Sequence, residues 1–344
     1  MKKKLSVLAT LAAASLALSA CSGGSGSEPG ASEATDLDAA TQSLVDEARA
    51  AGPVTLYSMV DEAVLREVAA DFESAYGITV EPVRLVSADL AQRFSSEAST
   101  GSSPADLIML TDSPFYDEAL EQGWISSFAD AELPESLVGE FPEDLYTHEG
   151  STPMMSFVPT ETVYNTDLVE SAPTSWEDYA DPAYAGKIQI AEVDSSPANV
   201  AFWSLMRNEF GDELLEGIAA NQPTVSGGAV PGTQAVAAGE GALGHPGVLP
   251  VIKNLQDSGA PVDVASMSPT TGPEVGLGLA ENSPNPAGAK LLAAYLMSEE
   301  GNLSFNEAAS QISPFDTEGM ERFTRTSEIE LSDAAELKSL MGMN

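Results

Sequence analysis

The chain is predicted to be an α/β protein of two lobes. The prediction rests on a strand–helix alternation in its first third and on a folded body of about 300 residues. A body of that size is too large for one simple core and divides naturally in two. Residues 53–58, Pro53-Val-Thr-Leu-Tyr-Ser58, have the β-branched, apolar character of a buried strand. Asp61 is placed to cap a helix on which Val64, Leu65, Val68, Ala69 and Phe72 recur at helical spacing, and Gly77 ends it. Residues 78–83 form the second strand. A second amphipathic helix starts near Ala88 and carries Leu90, Phe94 and Ala98. Residues 105–110 make a third strand and 115–123 a third helix. This order is that of a parallel sheet covered on both faces. Ligands of such sheets collect beyond the carboxyl ends of the strands, here Ser58-Met59-Val60, Val86-Ser87 and Thr111-Asp112-Ser113.

The N-terminal segment fixes an expected location. Lys2, Lys3 and Lys4 precede an apolar stretch from Leu5 to Leu18, which is short of the roughly 20 residues that a membrane span requires. Leu18-Ser19-Ala20-Cys21 follows and resembles the bacterial lipobox, in which the cysteine is lipidated and becomes the new N-terminus. Cys21 is the single cysteine of the chain, so no internal disulfide can account for it. Residues 1–20 are therefore expected to be a signal peptide and 21–40 a lipidated tether. Its Ser, Gly, Glu, Ala and Thr cannot bury enough apolar surface to fold.

The formal net charge is −39, from 53 acidic against 14 basic residues. Loss of the three signal lysines leaves 11 basic residues and a charge near −42. Such a surface repels nucleic-acid phosphates and anionic headgroups, which excludes both as partners. The acidic residues run along the whole chain and read as a solvated surface. No catalytic set stands out: there are only His148 and His245, no Gly-x-Ser-x-Gly elbow, no phosphate-binding Gly-x-x-x-x-Gly-Lys-Ser/Thr and no His-Glu-x-x-His. Two classes of function remain, a solute receptor and a surface-anchored enzyme or adhesion module on the same fold, with the receptor favoured.

Ordered fragments along the chain point to a family. They include Val54-Thr-Leu-Tyr-Ser58, Phe72-Glu-Ser-Ala-Tyr-Gly-Ile-Thr-Val80, Pro104-Ala-Asp-Leu-Ile108, Tyr164-Asn-Thr-Asp167 and Pro173-Thr-Ser-Trp-Glu-Asp178. Tyr184-Ala-Gly-Lys-Ile188, Ala238-Gly-Glu-Gly-Ala-Leu-Gly244, Gly259-Ala-Pro-Val262 and Ser283-Pro-Asn-Pro-Ala287 follow. In this order the chain resembles extracellular solute-binding proteins of ABC importers, in the branch of ferric-ion, thiamine, polyamine and phosphonate binders. The resemblance implies the two-lobed periplasmic-binding-protein fold of type II-like form, with two crossover strands near 157–160 and 275–279. It implies lobe 1 over 41–157, lobe 2 over 158–278, and a return of 279–344 to lobe 1. It further implies a monomer that is no enzyme and needs no cofactor. Its partners would be a small-molecule solute, an ABC permease with its ATPase, and the membrane through the lipid anchor.

Ferric-binding members of the branch use two adjacent tyrosines just after the stretch matching residues 239–244. Here that place reads His245-Pro246-Gly247-Val248, and no two of the eight tyrosines are neighbours. No metal site is therefore expected, and His245 is expected to be a hydrogen-bonded wall residue of the cleft. Ser195 or Ser196, before Pro197, suits a helix N-terminus, and Thr233 is placed like a second cap. Such termini can hold a carboxylate, phosphate or phosphonate. Ser58, Ser87, Thr111 and Asp112 from the first lobe, with Ser195, Ser196, Thr233 and His245 from the second, make the expected cleft. Its ligand would be an uncharged or zwitterionic organic solute or a small anion.

Overall fold

The computed structural model describes residues 37–101 and 103–343, and from Asp38 onward the chain forms one compact unit. The expected signal peptide and the expected lipidation site, Cys21, lie outside the described residues. The first helix, Ala39–Ala51, starts two residues inside the expected tether, because the Asp38 carboxylate accepts from the Ala40 and Thr41 N–H groups at its N-terminus.

The first sheet contains β1 (Val54–Ser58), β2 (Val80–Arg84), β3 (Leu107–Thr111), β4 (Ile125–Ser126), β5 (Tyr146–Thr147), β6 (Thr152–Phe157) and, far along the chain, Glu274–Ala280. Parallel β2, β1 and β3 continue into the late strand, which pairs antiparallel with both β3 and β6. The helix Glu62–Tyr76 is capped by Asp61 and ends on Gly77 in the left-handed region, as its sequence signals require. Asp106, ahead of β3, is fully buried. It accepts from Thr55 N at 2.7 Å, Ser283 Oγ at 2.5 Å and Asn285 N at 2.7 Å. Asn285 in turn donates to the carbonyls of Ala48 and Gly52. Two of the ordered fragments, Pro104–Ile108 and Ser283–Ala287, thus hold the lobe together.

The second sheet contains β7 (Glu161–Asn165), β8 (Ile188–Ala191), β9 (Thr224–Ser226), β10 (Leu243–Gly247) and β11 (Val262–Ala265), in the order β11-β7-β10-β8-β9. The late strand of the first sheet is β12. Behind the second sheet, Trp176, Phe202, Trp203, Leu205 and Leu215 form a buried core. Ser175 and Asp178 form a capping box at the start of the Trp176–Ala180 turn.

The two lobes are joined by residues 158–160, between β6 and β7, and by 266–273, between β11 and β12. These segments pair with each other: Val158 N donates to Pro273 O at 2.8 Å, and Thr160 N to Thr271 O at 3.1 Å. Thr270 Oγ1 donates back to Thr160 O at 2.8 Å. The return crossing is complete before the expected 275–279, since Val275–Leu279 already pairs with β3. A third run of chain passes beside them. Ile312 pairs with Phe157, and Phe323 with Thr270. The chain then passes to the second lobe, where Ile329, Leu337, Met341 and Met343 enter its core. Of residues 279–344, expected to return to lobe 1, this apolar tail is buried against the helices Pro197–Phe210 and Asp212–Ala220.

Candidate functional site

A cavity of about 280 Å³ lies where the crossover segments meet both lobes. Val158, Pro159, Thr160 and Pro273 form its hinge side. The second lobe contributes Ser196, Ala198 and Asn199, at the start of the helix Pro197–Phe210. It also contributes Pro246 to Pro250, where β10 runs into the helix Leu249–Asp257. Ala309, Ser310 and Gln311 close the opposite wall, after the helix Glu299–Ala309. That helix is fixed to the first sheet by Asn302 and Asn306, whose side chains both donate to Met155 O at 3.1 Å. Ser310 ends it at a left-handed φ of 54°, and Gln311 N turns back to Asn306 O.

The polar atoms on the cavity are partly committed. Ser196 caps its helix by accepting from Asn199 N at 3.2 Å. Asn199 donates through Nδ2 to Glu192 O and Ser195 Oγ, each at 3.0 Å, which leaves its Oδ1 as the free acceptor among the described residues. Gln311 accepts from Ser156 Oγ through Oε1, so its amide N–H groups are the free donors. Thr160 Oγ1 is turned away, donating to Thr271 O.

Residues 58–303 match the family described as bacterial extracellular solute-binding protein. The chain belongs to that family. Its fold is shared with iron-bound HitA from Pseudomonas aeruginosa, at 18% identity over 85% of this chain and 98% of that one, with a TM-score of 0.60. The ferric iron-binding protein A of Mannheimia haemolytica, in an open conformation, is 20% identical over 84% of this chain and 90% of that one, with a TM-score of 0.59. AfuA from Actinobacillus pleuropneumoniae, with fructose-6-phosphate bound, is 20% identical over 85% and 97%, with a TM-score of 0.53. At these identities the likeness is one of fold: two lobes linked by crossover strands. No helix among the described residues is long and apolar enough to cross a membrane.

Within this solute-binding protein the expected site residues separate into groups. Ser196 alone of the eight lines the cavity, and Ser195 stands directly behind it on Asn199. Ser87 and Thr111 bond to each other at 3.1 Å, and both hydroxyls reach the Met59 sulfur. Ser58 is buried and accepts from Val60 N. These three sit at the carboxyl edge of the first sheet, where the strand reading placed them, but their hydroxyls bond within that edge. Asp112 accepts from His148 Nε2 at 2.7 Å, while His148 Nδ1 meets Asp117 at 2.6 Å. Burial lowers the His148 pKa, but the hydrogen bonds and charges of these two carboxylates outweigh it, and the net shift is upward.

Two of the eight take roles other than those expected. Thr233 is no cap: its helix, Ala229–Ala237, begins a full turn earlier, after Gly228. Its hydroxyl donates to Ala229 O at 3.0 Å and accepts from Val248 N. His245 is no hydrogen-bonded wall residue. It is 3% exposed, stacked on Phe202 with ring centroids 3.8 Å apart, with Trp176 and Trp203 edge-on at 5.2 and 5.3 Å. Neither ring nitrogen has a partner among the described residues, and burial drives its pKa down to about 3.

Asn199, Thr160, Gln311 and the Pro246–Pro250 stretch were not among the expected ligand residues. Asn199 had a local signal, since it closely follows the Ser-Ser-Pro cap. Gln311 had none, because only the third run of chain through the hinge brings residue 311 beside residue 199.

Proposed function

We propose that this extracellular solute-binding protein is the lipid-anchored capture component of an ABC importer, passing cargo to a membrane permease and its ATPase. The observation that carries this is the cavity lined at once by both lobes and by the crossover segments, the geometry from which hinge closure traps a ligand. Lobe 1 would comprise the first sheet and its helices, and lobe 2 the second sheet and the tail that packs on it. Cys21 behind Leu-Ser-Ala would supply the anchor and place the body on the extracytoplasmic face as a monomer. The cargo would be a small organic or anionic solute, held without turnover and without metal or cofactor. The named ligands of the solved neighbours, iron and fructose-6-phosphate, mark the range of cargo this fold serves.

A metabolite screen by thermal shift, followed by solution scattering, tests the capture role. A ligand at 100 times its Kd is expected to add about 2.7 kcal/mol to stability and to contract the particle. A ligand that is consumed, or one that leaves the scattering profile unchanged, would point to the enzyme or adhesion role instead. Cys21→Ser is expected to leave an uncleaved precursor or a released protein, and unchanged lipid labelling of that variant would refute the anchor.

A further inference from the structure

We infer that the cargo carries no net charge: an uncharged organic molecule with an apolar face and hydroxyl or amide groups. This narrows the cargo and rests on the capture role proposed above. Among the described residues no Asp, Glu, Lys, Arg or His lines the cavity. Several ionic groups on the neighbouring segments are matched to one another, and Lys253 and Glu307, exposed on the two flanking helices, are off the cavity wall. Arg322 is paired with Glu161, Arg325 with Glu274 at 2.9 Å, and Lys338 with Glu192 and Asp194 at 2.9 and 3.1 Å. Glu161 Oε2 has no partner among the described residues, but it is buried and off the cavity wall. An ion entering here would lose hydration and meet no opposite charge, which disfavours it strongly.

The two helix N-termini at the cavity do not rescue an anion. Pro197 and Pro250 occupy the first turns and have no N–H to offer. The Asn199 N–H is taken by Ser196, and the Val251 N–H by Val248 O. Only the Ser196, Ala198 and Leu249 N–H groups remain from the two openings. A chain of net charge −39 also repels anions at long range. What the walls do offer is neutral: an acceptor at Asn199 Oδ1 on one lobe and donors at Gln311 Nε2 on the other. Between them Val158, Pro246, Val248 and Leu249 supply an apolar surface.

Ala198 gives a direct test, because either charge can be added there without removing a contact made by a polar side chain. The wild-type protein, Ala198→Asp and Ala198→Lys are titrated with three sets of probes, by thermal shift and scattering. The uncharged set is D-xylose, myo-inositol and nicotinamide; the anionic set is inorganic phosphate, methylphosphonate and citrate; the cationic set is putrescine and thiamine. The expected result is binding from the uncharged set, with affinity changing less than about threefold from low to high salt and less than about threefold between the two variants. Binding of a charged probe, weakened by salt and differing by about tenfold or more between Ala198→Asp and Ala198→Lys, would overturn the inference while leaving the capture role intact. No shift and no contraction with any probe would overturn the capture role, and the inference with it.

Discussion

His245 and His148, the only histidines in the chain, are expected to push stability in opposite directions as pH changes. His245 is a base whose folded pKa, about 3, lies below the ordinary value of 6.5. Below pH 6.5 the unfolded chain binds a proton that the folded one refuses. Stability therefore falls by about 1.4 kcal/mol per pH unit from there down to the folded value. His245→Phe removes this loss and the two unpartnered ring nitrogens, while keeping a ring against Phe202. Urea unfolding from pH 7 to pH 4 should show the variant gaining on the wild type as pH falls; parallel profiles would refute the assignment. His148 has both nitrogens engaged by carboxylates, so its charged form is the one the fold favours. Its contribution is fully present below the ordinary value and is lost as pH rises through the raised folded value. His148→Gln should therefore cost most in acid and converge on the wild type toward alkaline pH. Proton NMR of the two rings reads both claims directly, with the His148 resonance titrating above the ordinary histidine value and the His245 resonance silent until strong acid.

At the scale of elements, the crossover pair depends on one glycine. A Cβ added at Gly272 would collide with the Val158 carbonyl, which is backbone and cannot turn aside. Gly272→Ala is expected to spread the two segments, weaken the Val158–Pro273 hydrogen bond, and lower stability by about 1–3 kcal/mol, measured by thermal unfolding. An unchanged Tm would mean that the hinge tolerates separation. The first-lobe elements are legible in the sequence because each carries its own signals: Asp61 and Gly77 bracket one helix, and β3 is a continuous apolar run. Thr233 misleads because a Thr after Pro-Gly looks like a cap, whereas the helix begins at Ala229 on Gly228 with no side-chain cap at all. The path of residues 312–324 through the hinge has no periodic signal, being fixed by long-range pairing with Phe157 and Thr270. The cavity is half legible for the same reason: Ser196 and Asn199 are local, Gln311 is not.

At the scale of the whole molecule, the two-lobed plan follows from length and ordered fragments, while the cargo depends on which side chains the lobes bring face to face. The ferric question tests that distinction most sharply. A trivalent ion in a partly buried cleft needs several anionic oxygens to offset its lost hydration. None of the eight tyrosines lines the cavity, and the residue standing where the first of a tyrosine pair would be, His245, is buried among aromatic rings. Asp112, the expected acidic ligand, is held by His148. A protein of net charge −39 will still attract ferric ions to its surface, so retention alone decides nothing. The discriminating signal is a stoichiometric red or orange phenolate-to-iron band that survives dialysis against citrate. Titration with ferric citrate, followed by absorbance and mass spectrometry, is expected to show no such band and complete loss of iron on dialysis. A coloured one-to-one complex would require the lobes to bring phenolates to the cleft that this arrangement keeps away from it, and would make iron the cargo.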